Sequence, residues 1–268
     1  MSSKIERSRA SLWAAARVQM RVLHALFLRE LLTRHGRHNI GFLWLFVEPM
    51  IFTLGVTALW TATQSVHGSD LPIVAFAITG YSTVLLWRNM PSRCNLAITF
   101  NSAIMYHRQV KAIDIYLGRI ALEAVGASMS FFLLSAFFIF LGWMEAPDDM
   151  LLVLGAWGLV ALFGASLAIF LGSLSERFEI VEKLWHPASY LVFPLSGAAF
   201  LVTSLPQSAQ DVVLYIPMVH GTEMLREGYF GNNVDTLYDT GYLVACTLVM
   251  MCLGLALSRR MADHVVPE

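Results

Sequence analysis

Glu48 and Glu123 are carboxylates set inside otherwise apolar stretches of the chain. A charge in hydrocarbon costs about 2.5 to 3.5 kcal/mol even on a lenient insertion scale, so each must meet a partner or water. Arg119 lies four residues before Glu123, a spacing that lets the two pair on one helix face. Glu48 precedes Pro49, whose missing N–H frees a carbonyl in the preceding turn and invites a bend. Two readings of Glu48 follow: it faces a water-filled path, or it anchors an arginine such as Arg37 or Arg88. A membrane-embedded glycan or lipid transferase using Glu48, Glu123 or His107 as acid or base is a competing idea. Against it, the carboxylates stand alone, without a second acid or metal ligands at a workable spacing.

Other chemistries lack their residues. No glycine-rich loop ends in Gly-Lys-Ser or Gly-Lys-Thr to gather amides around phosphates, and there is neither a His-Glu-x-x-His helix nor a Gly-x-Ser-x-Gly elbow. His107, His186 and His220 are widely separated, and ordinary interfacial histidines account for them. Cys94, Cys246 and Cys252 match neither a metal site nor a disulfide framework. No bound cofactor, metal or nucleic acid is expected of this chain.

The elements that must hold these groups are membrane helices. The chain is 57% hydrophobic and 14% charged, against about a quarter charged in soluble domains, so it is read as an integral membrane protein. The first forty residues are basic and broken by polar groups, without the compact apolar centre of a signal peptide, and are expected to be retained. Residues 11–32 place Trp13, Ala16, Met20, Leu23, Phe27 and Leu31 at three- and four-residue spacing, with Arg17, Arg21 and His24 on another face. That pattern predicts an amphipathic helix lying along the membrane surface. Six apolar runs follow, near 42–62, 71–87, 115–141, 150–174, 188–204 and 241–258, each about long enough to span. All but Arg226 of the 18 lysines and arginines fall on one side of that arrangement, which predicts cytoplasmic termini by the positive-inside rule.

The fifth run is short and carries Pro194 and Gly197, so it is expected to be kinked or broken. The connection after it mixes apolar turns with Pro206, Pro217, Gly221, Gly228 and Gly231, a composition that suits two short helices re-entering the outer face. On the opposite side, SAIMYHRQVKAID and SERFEIVEKLWHP carry charges at helical spacing and suit docking of a soluble subunit. Trp44, Trp60, Tyr81, Trp87, Trp143, Trp157, Trp185 and Tyr190 lie mostly near span ends, where an interfacial belt explains them. Some would also stack on sugar rings if carbohydrate passed.

The order of features resembles the membrane subunit of bacterial ABC type-2 polysaccharide exporters, in particular the capsular polysaccharide permeases. The residues that carry the likeness are TRHGRHNIGFLWLFVEP, with its Arg-x-Gly, Gly-x-Leu-Trp and Glu-Pro pattern, and PLSGAAFLVTSLP followed by YIPMVHGTEMLREGYFG. The resemblance implies an all-α integral membrane fold of six transmembrane helices behind the interfacial helix. Re-entrant gate helices would lie between spans five and six, and two copies would form a homodimer. Residues 1–40 would be the cytoplasmic segment, 41–260 the membrane domain and 261–268 a cytoplasmic tail. ATP and Mg would sit on two copies of a separate cytoplasmic ATPase subunit, leaving this chain a permease and not an enzyme. The substrate would be a lipid-linked, often acidic polysaccharide leaving a bacterial inner membrane towards a periplasmic or outer-membrane partner. In that picture Arg29, Arg34, Arg37, Trp44, Glu48, Trp60, Tyr81 and Trp87 are candidates for the substrate path. Tyr106, His107, Arg108, Lys111 and Asp114 belong to the loop that receives the ATPase stroke, and Pro217, His220, Glu223 and Arg226 to the periplasmic gate. O-antigen, teichoic acid or a small molecule remain alternative cargoes for the same architecture.

Overall fold

The computed structural model describes residues 12–35, 40–63, 71–105 and 109–265, and every regular element among them is helical. The helices are α1 (Leu12–His35), α2 (Ile40–Thr63), α3 (Ile73–Cys94), α4 (Ser102–Met105), α5 (Ala112–Phe140), α6 (Met150–Arg177), α7 (Ile180–Val192), α8 (Gln207–Val213), α9 (Pro217–Phe230) and α10 (Thr240–Val265). Among the described residues, four segments are long and apolar enough to cross a bilayer: Leu43–Ala62, Ala112–Phe140, Met150–Arg177 and Thr240–Arg259.

The second apolar run becomes α3, and it is the centre of the bundle. Residues 75–87 of this helix are buried without interruption, because α2, α5, α6 and α9 surround it. Enclosure by protein places Thr79, Ser82 and Thr83 of this helix at buried positions. Thr79 and Thr83 donate back to Ala75 O and Gly80 O at 2.8 and 2.6 Å, which satisfies their hydroxyls locally. On α2 the same device repeats at four-residue spacing: Thr53, Thr57 and Thr61 donate to the carbonyls of Pro49, Thr53 and Thr57 at 2.9, 2.8 and 2.8 Å.

α6 starts where Asp149 accepts from the N–H groups of Leu151 and Leu152 at 2.9 and 3.0 Å, satisfying two donors of its first turn. Trp157 on α6 stacks on Phe131 of α5 at 4.5 Å and donates to Ser128 at 2.9 Å. It is therefore a core residue and not part of an interfacial belt, unlike the exposed Trp143.

The fifth run is broken. α7 ends at Val192, a 3-10 turn covers Phe193–Leu195, and Gly197 takes φ +77° before a second turn at Val202–Ser204. Its 13 helical residues reach about 20 Å, short of a hydrocarbon core of roughly 30 Å. α1 lies against the N-terminal half of α5, with Leu26 packed on Gly118. Its half-buried positions include Leu23, Phe27 and Leu31, while Trp13 and Met20 from the same predicted stripe are exposed.

Candidate functional site

Four helices, α2, α3, α5 and α7, enclose a polar cavity of about 290 Å³. Glu48 reaches its wall from α2, Tyr81 and Arg88 from α3, Glu123 from α5, and His186 and Tyr190 from α7. Gly126 on α5 lets α2 come close, since a Cβ there would stand 2.8 Å from Leu45 O. The guanidinium of Arg88 lies 4.6 Å over the Tyr190 ring, so α7 closes one side through a cation–π contact. Tyr81 meets Phe193 edge to face at 5.8 Å. Trp185 donates to Ser92 at 2.9 Å and ties α7 to the end of α3.

Glu123 and Arg119 pair across elements and not with each other along α5. Glu123 bonds Arg93 of α3 at 3.3 Å, and Arg119 bonds Glu30 of α1 at 3.5 Å while donating to Arg93 O at 2.6 Å. The expected pairing of Arg119 with Glu123 is thus replaced by two longer-range contacts that fasten α1 and α3 to α5. The cavity offers acceptors, donors and an aromatic face at one place in an apolar bundle, which suits a hydroxyl-rich or charged guest more than an apolar one.

The candidate path residues separate. Glu48 and Tyr81 line the cavity. Trp87 does not: it is fully buried, its backbone against Gly164 of α6. Trp60 meets Phe76 at 6.2 Å, and Trp44 is half exposed on α2. Arg29 donates to Asn101 at 2.9 Å and so ties α1 to the segment before α4. The side chain of Arg34 and all of Arg37 lie outside the described residues, as do Tyr106, His107 and Arg108. Lys111 is exposed at the start of α5. Asp114 is fully buried, where it accepts from the Lys111 N–H at 2.9 Å and from the Gln19 amide.

The gate candidates form a buried network. Pro217 opens α9 at a position that needs no N–H. His220 accepts from the Asp239 N–H at Nδ1 (2.8 Å), so its Nε2 carries the hydrogen and donates to Leu214 O (2.8 Å). Glu223 accepts from the N–H groups of Val202 and Leu237, each at 3.3 Å. Arg226, the single exception to the charge sorting, is fully buried and donates to the carbonyls of Gly197, Phe200 and Ala198, each at 2.6 Å. Its guanidinium lies 3.7 Å over Phe76 and 3.9 Å from Glu223. Burial pushes the Glu223 carboxyl up, opposed by Arg226 and the two N–H groups, and brings Arg226 down to about 10, still charged at neutral pH. These contacts bind α9 to the break after α7. Gly80 is part of the same arrangement: a Cβ on it would collide with Ala198 O and stand 2.7 Å from Arg226 Nη2. Sequence reading missed Gly80, although a glycine inside an apolar helix is a signal for close backbone approach.

Residues 21–230 match the family model described as ABC-2 type transporter. The chain belongs to the ABC-2 membrane family. It is 43% identical over 260 residues to the capsule polysaccharide export inner-membrane protein CtrC of Neisseria meningitidis serogroup B, covering 97% of this chain and 98% of that one. It is 39% identical to the capsule polysaccharide export inner-membrane protein BexB of Haemophilus influenzae, over 94% of this chain and 95% of that one. Identity to the polysialic acid transport protein KpsM of Escherichia coli is 26%, over 90% and 94%. The matched region of this ABC-2 chain includes the cavity, α9 and the Arg226 network.

Proposed function

We propose that the chain is the channel-forming membrane subunit of an ATP-driven exporter of capsular polysaccharide in a bacterial inner membrane. The near full-length similarity to CtrC carries this reading. It is supported by a cavity whose wall mixes Glu48, Arg88 and Tyr190 inside an apolar bundle. A permease of this family works with an ATPase, and this chain has no Walker sequence of its own. Hydrolysis of ATP with Mg is therefore assigned to two copies of a separate cytoplasmic subunit, and no step of bond chemistry to this one.

On the same reading two copies complete the path, six crossings include α3 and the broken α7 segment, and both termini are cytoplasmic. Residues 1–40 form the cytoplasmic segment with α1, residues 41–260 the membrane domain and residues 261–268 the tail. The 88–114 segment receives the ATPase stroke, and α8 and α9 gate the outer face. The substrate is a lipid-linked, acidic glycan that enters beside the basic end of α1 and leaves towards a periplasmic partner. The test is deletion of the gene with complementation: the capsule leaves the cell surface, the glycan accumulates inside, and the intact chain restores export and co-purifies with its ATPase. A surface capsule that persists without the chain, or loss of a different glycan, overturns the reading.

A further inference from the structure

α6 is a continuous helix of 28 residues, about 42 Å long, and both of its ends are fastened to other elements by hydrogen bonds. At the end rich in charge, Ser175 accepts from the Leu96 N–H at 3.0 Å. Glu176 then accepts with both oxygens: Oε1 from the Ile98 N–H at 2.6 Å, and Oε2 from the Thr99 N–H at 3.2 Å and the Thr99 hydroxyl at 2.6 Å. Those donors open the turn Thr99–Asn101 and α4. A carboxylate accepting several N–H groups at the start of a turn does the work of a capping residue, here supplied from another helix. The junction also shows strain. Leu96 takes φ +50°, which a leucine rarely adopts, and the amide of Asn95 is buried with no hydrogen-bond partner among the described residues.

At the opposite end, the Asp149 N–H donates to Gly228 O at 2.8 Å and the Asp148 N–H to Tyr229 O at 3.2 Å. Gly228 sits so close that a Cβ would stand 2.8 Å from Val153 N, and a Cβ on Gly221 would collide with Val160. α9 therefore lies on the outer half of α6 without slack, and packed cores transmit displacement where loose ones absorb it.

We infer that α6 is the rigid link between the 96–105 segment and the outer helix α9, and that Glu176 is the positioning residue that couples the segment to it. This rests on the proposed reading of the 88–114 segment as the receiver of the ATPase stroke. Glu176→Gln keeps the shape but offers one acceptor oxygen in place of two and turns an amide donor towards the Thr99 N–H. Thr99→Val is a milder change that removes the hydroxyl from the other side of the contact.

The experiment measures hydrogen exchange in the complete complex with and without a non-hydrolysable ATP analogue, alongside export and ATP hydrolysis. In the unaltered complex the nucleotide changes exchange in both 96–105 and 217–230. In Glu176→Gln the response at 96–105 persists, that at 217–230 is lost, and export falls by about tenfold while hydrolysis stays within about twofold, the scale set by losing one charge-assisted contact. Thr99→Val gives the same pattern with a smaller loss. If Glu176→Gln keeps both the 217–230 response and export, or if export, hydrolysis and thermal stability fall in parallel in both variants, Glu176 is not a coupling residue. If the nucleotide leaves 96–105 unchanged in the unaltered complex, the receiver reading itself fails, and the link falls with it.

Discussion

A guanidinium presents five N–H donors in a rigid fork, and at Arg226 three bonds from that fork satisfy carbonyls in the turn that ends the broken α7 segment. Carbonyls at a helix end inside a membrane protein have no water to turn to, so the arginine replaces it. Arg226→Met leaves those carbonyls and Glu223 without their partner, and removing one side of a buried pair costs about 3 to 5 kcal/mol. The purified complex should lose thermal stability markedly, and Arg226→Lys, a point charge without the fork, should restore only part of it. Burial already raises the Glu223 carboxyl, so Glu223→Gln should cost clearly less than Arg226→Met on the same assay. Gly80→Ala pushes a methyl into Ala198 O and the guanidinium, an overpacking cost of about 1 to 3 kcal/mol. Combined with Arg226→Met it should be less than additive, because both act on one contact. Equal and additive losses would separate the two residues. At this scale the sequence marked which residues matter: a cation on the wrong side of the sorting and carboxylates in apolar runs are conspicuous. It did not mark their partners. Arg119 and Glu123 are neighbours on α5, yet each pairs with another helix, because partner choice is decided by packing between segments distant in the chain.

Helices announce themselves by apolar length, and so the runs that became α2, α5, α6 and α10 were legible from hydropathy alone. α3 was legible as a run but not as the hub, since a helix enclosed on all sides and one exposed to lipid can have the same composition. Trp87 shows the consequence: a tryptophan near a predicted span end looked interfacial, and the surrounding helices make it core. The break after α7 was legible because Pro194 removes an N–H and crowds the preceding turn while Gly197, three residues on, favours a turn over a helix. Its geometry gives a prediction. Gly197 holds φ +77°, where a side chain costs roughly 1 to 2 kcal/mol, and a Cβ there meets nothing nearer than Val219 Cγ1 at 3.5 Å. Gly197→Ala should therefore destabilise through its backbone, whereas Gly158→Ala, with open space and helical backbone, should be neutral or slightly stabilising. Thermal unfolding of the two variants checks this, and equal stability would point away from strain at the break.

The exposed apolar surface of the whole molecule must face lipid or a second copy. Only 17% of the spanning windows of α2 and α10 is buried, against 56% for α6, so two flanks of the bundle stay open. A third open strip runs along α7 and the turn after it, where Leu184, Leu191 and Leu195 are 58%, 73% and 45% exposed beside the cavity wall that holds Tyr190. A cavity of about 290 Å³ is too small for a polymer, so on the proposed two-copy reading the path needs a second wall, which a two-fold partner placed against α7 would supply. An arginine at such a contact is buried without a partner, while one on a lipid-facing flank can extend towards the interface at about 2.5 to 3.5 kcal/mol. Leu191→Arg should therefore convert the purified protein from dimer to monomer and abolish export. Leu248→Arg on α10, exposed by 59%, should reduce yield but leave the dimer intact. Mass measurement in detergent separates the cases: a dimer that survives Leu191→Arg but not Leu248→Arg would move the two-fold contact to α10 and leave the α7 strip to lipid.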